Sequence, residues 1–297
     1  MTAAPSGVAL WLAGARLRTL PAAVVPVAVG AAVAVGEGTD TQWWRAPLAL
    51  VVAVALQVGV NFANDYSDGV RGTDGDERVG PLRLVGSGLV PPQQVKLAAT
   101  LSFAVAGVIG AVLALVVGPE LFVVGALSLV AGWTYTGGPR PYGYLGLGEV
   151  FVFVFFGLVA TIGTTYVLLE RIDALAVWCS ITVGLWATAL MVTNNLRDIP
   201  GDTIAGKRTL AVRLGDRRTR HAFVAMHVGA LVVAVIAAVL FRSGAFAALG
   251  AGPMAWLAAR KVLGGASGPA LIPVLAISAR AQLAGGLMMA VGLALTG

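Results

Sequence analysis

Long apolar runs alternate with short polar stretches along the whole of this chain. A membrane-spanning helix needs about 20 consecutive apolar residues. On that measure the pattern predicts nine helices, at roughly 18–36, 47–64, 97–117, 120–136, 149–169, 174–196, 221–241, 245–259 and 281–296. The eighth is the weakest, because Gly250, Gly252 and Pro253 interrupt it. Prolines are tolerated in such helices where neighbouring groups satisfy the freed backbone. The polar positions are not scattered. They gather where apolar runs end, above all at Asn61-Phe62-Ala63-Asn64-Asp65-Tyr66-Ser67-Asp68 and at Asn194-Asn195-Leu196-Arg197-Asp198-Ile199-Pro200-Gly201-Asp202.

Composition turns the pattern into a fold class. The chain is 58% hydrophobic and 11% charged, with mean hydropathy +0.87. A soluble domain carries roughly 25% charged residues. The expectation is an all-α integral membrane protein forming a single transmembrane domain over residues 1–297. The 39 glycines suit helices that pack closely in lipid. Arg16 and Arg18 precede an apolar run from Leu20 to Val35, which resembles a signal peptide. The run is long and others like it follow, so it reads as a retained first helix. The lone Cys179 lies in an apolar run and reads as a packing residue.

The net charge of +6 admits a nucleic-acid partner in principle, but its distribution fits membrane topology instead. With nine helices and the amino terminus inside, every basic residue except Arg45, Arg171 and Arg242 falls on the cytoplasmic side. Lys and Arg concentrate there in membrane proteins. The reading is a multi-pass protein of the plasma or inner membrane with no nucleic-acid partner. Its amino terminus and both acidic clusters face the cytoplasm. The clusters recur four predicted helices apart, which suggests an internal repeat of helices 1–4 and 5–8, a common device in membrane folds.

Carboxylates at a bilayer edge are costly and tend to mark function. Asn61 and Asp65 are four apart, as are Asn64 and Asp68, and residues at that spacing share a helix face. Asp198 and Asp202 repeat the interval, although Pro200 pushes Ile199 away from α geometry and predicts Asp202 on a turn. Oxygen donors of this kind suit Mg²⁺, which also takes substrate phosphate as a ligand. Two cations held between two walls neutralise a diphosphate and make it a good leaving group. Arg71, Arg78, Arg83, Arg197, Lys207 and Arg208 complete the neutralisation, with Asn61, Asn194 and Asn195 as further binding groups. The competing reading is a set of ordinary loop ion pairs.

Other signals are weaker. Tyr135 and Arg140 read as site residues, and Tyr142 and Tyr144 serve equally well as interfacial anchors. Glu149 opens a helix, where a carboxylate favours the helix dipole. His221 and His227 are six apart, off a shared face, and do not make a metal pair.

Taken together, these residues resemble the UbiA-type intramembrane prenyltransferases, most closely the branch that prenylates 1,4-dihydroxy-2-naphthoate in menaquinone synthesis. Asn64-Asp65-Tyr66-Ser67-Asp68, extended to Asp74, is similar to the first Asp-rich motif, and Asp198-Ile199-Pro200-Gly201-Asp202 to the second. The branch is suggested by Arg18-Thr19-Leu20-Pro21, Gly80-Pro81-Leu82-Arg83-Leu84-Val85, Tyr135-Thr136-Gly137-Gly138, Gly146-Leu147-Gly148-Glu149 and Gly206-Lys207-Arg208-Thr209-Leu210-Ala211. The resemblance runs from about residue 16 to the carboxyl terminus. It departs from the superfamily in the fourth loop, where a Tyr-x-x-x-Lys signature is replaced by Arg140 five residues after Tyr135.

The resemblance implies nine helices around a central cavity, capped by cytoplasmic loops. It implies two Mg²⁺ ions held by Asn64, Asp65, Asp68, Asp198 and Asp202, with Tyr135 and Arg140 orienting the aromatic acid. The implied reaction moves a polyprenyl group from polyprenyl diphosphate to 1,4-dihydroxy-2-naphthoate with loss of diphosphate and CO₂, giving demethylmenaquinone. Alternatives are another acceptor, such as 4-hydroxybenzoate or homogentisate, and a divalent-cation transporter. The transporter is disfavoured because the aspartates cluster at one rim while mid-membrane segments lack charge.

Overall fold

The computed structural model describes residues 6–38, 40–72 and 82–297, and among these every regular element is helical. The chain runs through α1 (Val8–Ala15), α2 (Pro21–Val33), α3 (Arg45–Arg71), α4 (Pro92–Val117), α5 (Glu120–Thr134), α6 (Gly148–Leu169), α7 (Ala174–Ile204), α8 (Leu210–Leu240), α9 (Gly252–Leu263) and α10 (Leu271–Leu295). Among the described residues six helices are long and apolar enough to cross a membrane. A seventh span arises if the bent pair Val8–Thr19 and Pro21–Val33 counts as one.

Each of the nine predicted segments meets a helix, but several boundaries move. α5 is shorter than a full span, and the eighth segment is a 3₁₀ stretch, Ser243–Ala251, running into α9. The glycines and Pro253 that weakened it in the sequence sit where the two join. α3 and α7 outrun their apolar stretches and carry both acidic clusters on continuous helix. Pro200 therefore does not displace Asp202 onto a turn: α7 continues through it to Ile204. The ring removes one hydrogen bond near a helix end, where few remain to be lost, and the Thr203 hydroxyl supports the Ile199 carbonyl at 2.7 Å. α8 starts well before its apolar run and kinks at Gly215, whose φ of 75° is left-handed and suits glycine.

The principal core joins α2, α7, α8 and α10 around Val25, Trp186, Met289 and Leu293, with Cys179 buried in it as a small apolar residue. Glycine sets the closest approaches. A Cβ on Gly157, in the π-helical stretch Phe153–Val159 of α6, would run into the backbone of Gly184 on α7. Small residues of this kind let membrane helices meet backbone to backbone. The outward faces of α4 and α5 expose Leu97, Leu101, Leu115, Val123 and Leu127. An apolar surface that broad belongs against lipid.

The two ends of the bundle differ. Arg45, Arg171 and Arg242, the three basic residues that the sequence pattern sets apart from the rest, gather at one end. Arg45 pairs with Glu170 at 2.7 Å, Arg242 with Glu37 at 2.7 Å, and Arg171 with the same Glu37. The acidic clusters occupy the opposite end.

Candidate active site

A cavity of about 410 Å³ lies between α2, α3, α4, α5 and α6. Its walls are apolar through most of their length, with Val60, Gly110, Leu129 and Phe155 among them, and turn aromatic at Tyr135, Tyr142 and Phe151. The Tyr142 ring stacks on Phe151 at 3.9 Å and its hydroxyl donates to the Ala131 carbonyl at 2.9 Å. Gly143 and Gly148 both lie against Tyr135, so their missing side chains make room for its ring.

The last two turns of α3 form one wall of the polar end. Asp65 is fully buried and accepts the backbone N–H groups of Leu84 and Val85 at 2.8 and 2.9 Å, one on each oxygen. It thereby latches the segment after the first motif onto the helix. Asp68 accepts the Tyr144 hydroxyl at 2.6 Å, Arg83 at 3.3 Å and the Lys207 ammonium at 3.3 Å. Asn64 accepts the Thr136 hydroxyl at 2.8 Å. Asn61 faces the amino-terminal turn instead, donating to the Ala15 carbonyl at 2.9 Å and the Thr19 hydroxyl at 3.0 Å. Arg71 donates to the carbonyls of Thr136 and Gly138 and lies over the Tyr144 ring, which ties the end of α3 to the loop after α5.

The end of α7 forms the facing wall. Arg197 holds its neighbour Asp198 through two bonds of 2.7 Å, and the Asp198 side chain keeps about a quarter of its exposure (27%). Asp202 accepts a long bond of 3.5 Å from the Thr209 hydroxyl. Asn195 donates to Glu149 at 2.8 Å, while Asn194 turns back to the Leu190 carbonyl of its own helix. Arg208 is exposed, its backbone N–H bonded to the Tyr144 carbonyl at 2.9 Å. Arg140 is exposed and takes no part in this network. Arg78, with Asp74, Asp76 and Glu77, lies outside the described residues.

Lys207 joins the two walls. Its ammonium sits 4.6 Å over the Tyr144 ring and binds Asp68. Burial opposes its charge, but Asp68, Tyr144 and Asp202 outweigh burial and hold its pKa above the ordinary lysine value. Among the described residues no three His, Cys, Asp or Glu side chains form a metal-holding group by themselves. The donors present are hard oxygens on two walls with a cation already seated against one of them. That suits an ion such as Mg²⁺, which is held by one or two carboxylates together with waters and substrate phosphate.

The sequence reading left Tyr144 open between interfacial anchor and site residue, and offered a helix-dipole role for Glu149. The structure brings Tyr144 onto Asp68 and Glu149 onto Asn195, and adds Thr136 and the Leu84–Val85 amides.

An apolar chamber whose aromatic end, at Tyr135 and Tyr142, adjoins a cluster of carboxylates and cations fits a molecule with a charged head and a long hydrocarbon tail. Comparison with known proteins agrees: the profile of the UbiA prenyltransferase family matches residues 23–269, and the chain belongs to that family. It is 49% identical over 289 residues to the 1,4-dihydroxy-2-naphthoate octaprenyltransferase of Mycobacterium tuberculosis, covering 96% of this chain and 97% of that one. The fold is similar to a UbiA homolog from Aeropyrum pernix (TM-score 0.68, 18% identity, 93% of this chain and 97% of that chain). It is also similar to a UbiA homolog from Archaeoglobus fulgidus bound to DMAPP and Mg²⁺ (TM-score 0.63, 15% identity, 95% of this chain and 99% of that chain).

Proposed function

We propose that this protein transfers a polyprenyl group from polyprenyl diphosphate to 1,4-dihydroxy-2-naphthoate, releasing diphosphate and CO₂ to give the quinol form of demethylmenaquinone. The observation that carries the reading is the meeting of the two aspartate walls at Lys207, directly beyond the aromatic end of the apolar cavity. The near full-length likeness to the mycobacterial octaprenyltransferase selects the acceptor. The nine apolar segments cross the bilayer with the amino terminus and both polar walls on the cytoplasmic side, where the basic residues concentrate.

The tail lies in the apolar cavity, where each buried CH₂ contributes ~0.8 kcal/mol. The diphosphate lies between the walls. Asp68 and Asp202, with Asn64, Asp65 and Asp198 about them, would hold Mg²⁺, with room for one ion at each wall. When bound, the metal neutralises the departing diphosphate. Lys207 and Arg83 share that task as fixed cations at the same carboxylate. Tyr144 holds Asp68 in place, and the ring stack of Tyr142 and Phe151 shields the allylic carbon from water. Tyr135, at the aromatic end of the cavity, orients the aromatic acid.

The test is an assay on purified protein in detergent with polyprenyl diphosphate and Mg²⁺. Each candidate aromatic acceptor is supplied separately, with an EDTA control, and products are read by mass spectrometry. The expected product is a prenylated naphthoquinol formed only with 1,4-dihydroxy-2-naphthoate and lost with EDTA. Transfer to 4-hydroxybenzoate or homogentisate instead would move the acceptor assignment. Metal uptake into liposomes without any transfer would favour a transporter.

A further inference from the structure

Glu149 is a buried acid with no task in the scheme above. It is the second residue of α6 and only 4% exposed. One carboxyl oxygen accepts the Asn195 amide at 2.8 Å, and the other has no hydrogen-bond partner. The dipole at the start of α6 favours a carboxylate there only modestly. Leaving one oxygen of a buried carboxyl without a partner costs more than that dipole returns. The dipole alone therefore does not account for Glu149, and buried groups left unsatisfied often mark chemistry.

Its position is specific. The adjacent Gly148 lies against the ring of Tyr135 and the methyl group of Met191, and both of those residues line the cavity. Glu149 thus stands beside the junction of apolar cavity and polar mouth. The reacting carbon of a prenyl diphosphate lies at that junction, because it connects the tail to the diphosphate.

Resting on the reaction proposed above, we infer that Glu149 is the proton acceptor for the aromatic substrate. As the ring carbon bearing the carboxylate forms its bond to the prenyl carbon, the bond from that carbon to diphosphate oxygen breaks. Glu149 takes the proton of the neighbouring ring hydroxyl, whose O–H electron pair becomes the C=O bond of a β-keto acid. The carbon–carboxylate bond then breaks. CO₂ leaves, its electron pair restores the aromatic ring, and the ring oxygen recovers the proton from Glu149. The same proton goes out and back, so no external acid or base is consumed. Asn195 is a positioning residue that holds one oxygen of Glu149 and leaves the other for the substrate.

The test compares wild type, Glu149→Gln and Glu149→Asp, with rates expressed per site that binds polyprenyl diphosphate, so that a misfolded fraction drops out. Glu149→Gln keeps the side-chain shape and an oxygen for Asn195. It is expected to lower kcat for 1,4-dihydroxy-2-naphthoate about a hundredfold, the usual worth of a positioned acid–base group, with diphosphate affinity unchanged. Glu149→Asp, which retains a carboxylate, is expected to recover part of that loss. A Gln variant with wild-type kcat, a change confined to the KM for the acceptor, or an Asp variant no faster than Gln would each overturn the inference while leaving the reaction intact. A wild-type enzyme inactive on this acceptor would overturn the reaction itself, and the inference with it.

Discussion

The two aspartate walls carry similar residues but are held very differently. On α3, Asp65 and Asp68 are deeply buried and receive bonds from two backbone amides, Tyr144, Arg83 and Lys207. On α7, Asp198 is held by its sequence neighbour Arg197 and stays partly exposed, and Asp202 has one long bond to Thr209. A carboxylate with several fixed donors is oriented before any ligand arrives, and such preorganisation is what makes electrostatic catalysis effective. A loosely held carboxylate has ligand sites to spare. The α3 wall is thus the fixed frame of the site, and the α7 wall is where incoming cations and diphosphate make new contacts.

The contrast breaks in a definite order. Asp68→Ala removes the group at which both walls meet and is expected to lower kcat roughly a thousandfold, about 4 kcal/mol of transition-state stabilisation. Product formation followed by mass spectrometry checks it. Asp65→Ala separates frame from chemistry. It leaves the Leu84 and Val85 amides without their acceptor, at about 1–3 kcal/mol for each buried group. It should therefore lower the melting temperature in detergent as well as activity, whereas Asp202→Ala should lower activity with the melting temperature unchanged. Tyr144→Phe removes one bond to Asp68 and should cost roughly tenfold in kcat/KM, about 1.4 kcal/mol. Arg140→Ala, at an exposed residue outside the network, should leave kcat/KM essentially unaltered.

Much of this was legible in the sequence, and the reasons differ by region. Apolar runs located every helix but the short α1 (Val8–Ala15), because a membrane span writes its length directly into hydropathy. They could not locate the polar ends of α3 and α7, where hydropathy falls but the helix continues. There the four-residue intervals of Asn64–Asp68 and Asp198–Asp202 were the better guide, and they survive Pro200. The pairing of Asp65 with the amides of residues 84 and 85 left no trace, since a backbone donor has no side-chain signature. Tyr144 and Glu149 lay in plain view but had adequate local explanations, an interfacial ring and a helix-dipole partner. Only the packing of the loop after α5 against both walls gives them another setting. Arg71 and Arg197 illustrate the converse: charge and proximity in sequence suggested diphosphate ligands, while the structure engages them with loop carbonyls and with Asp198.

The central claim is that two walls far apart in sequence act as one diphosphate site. A double-mutant cycle on Asp68→Ala and Asp202→Ala, read as kcat for transfer to 1,4-dihydroxy-2-naphthoate, tests it most directly. Groups acting as a unit are strongly non-additive. The double variant is therefore predicted to be little worse than the poorer single variant. Losses that simply multiply would mean that the walls act independently and would contradict the account.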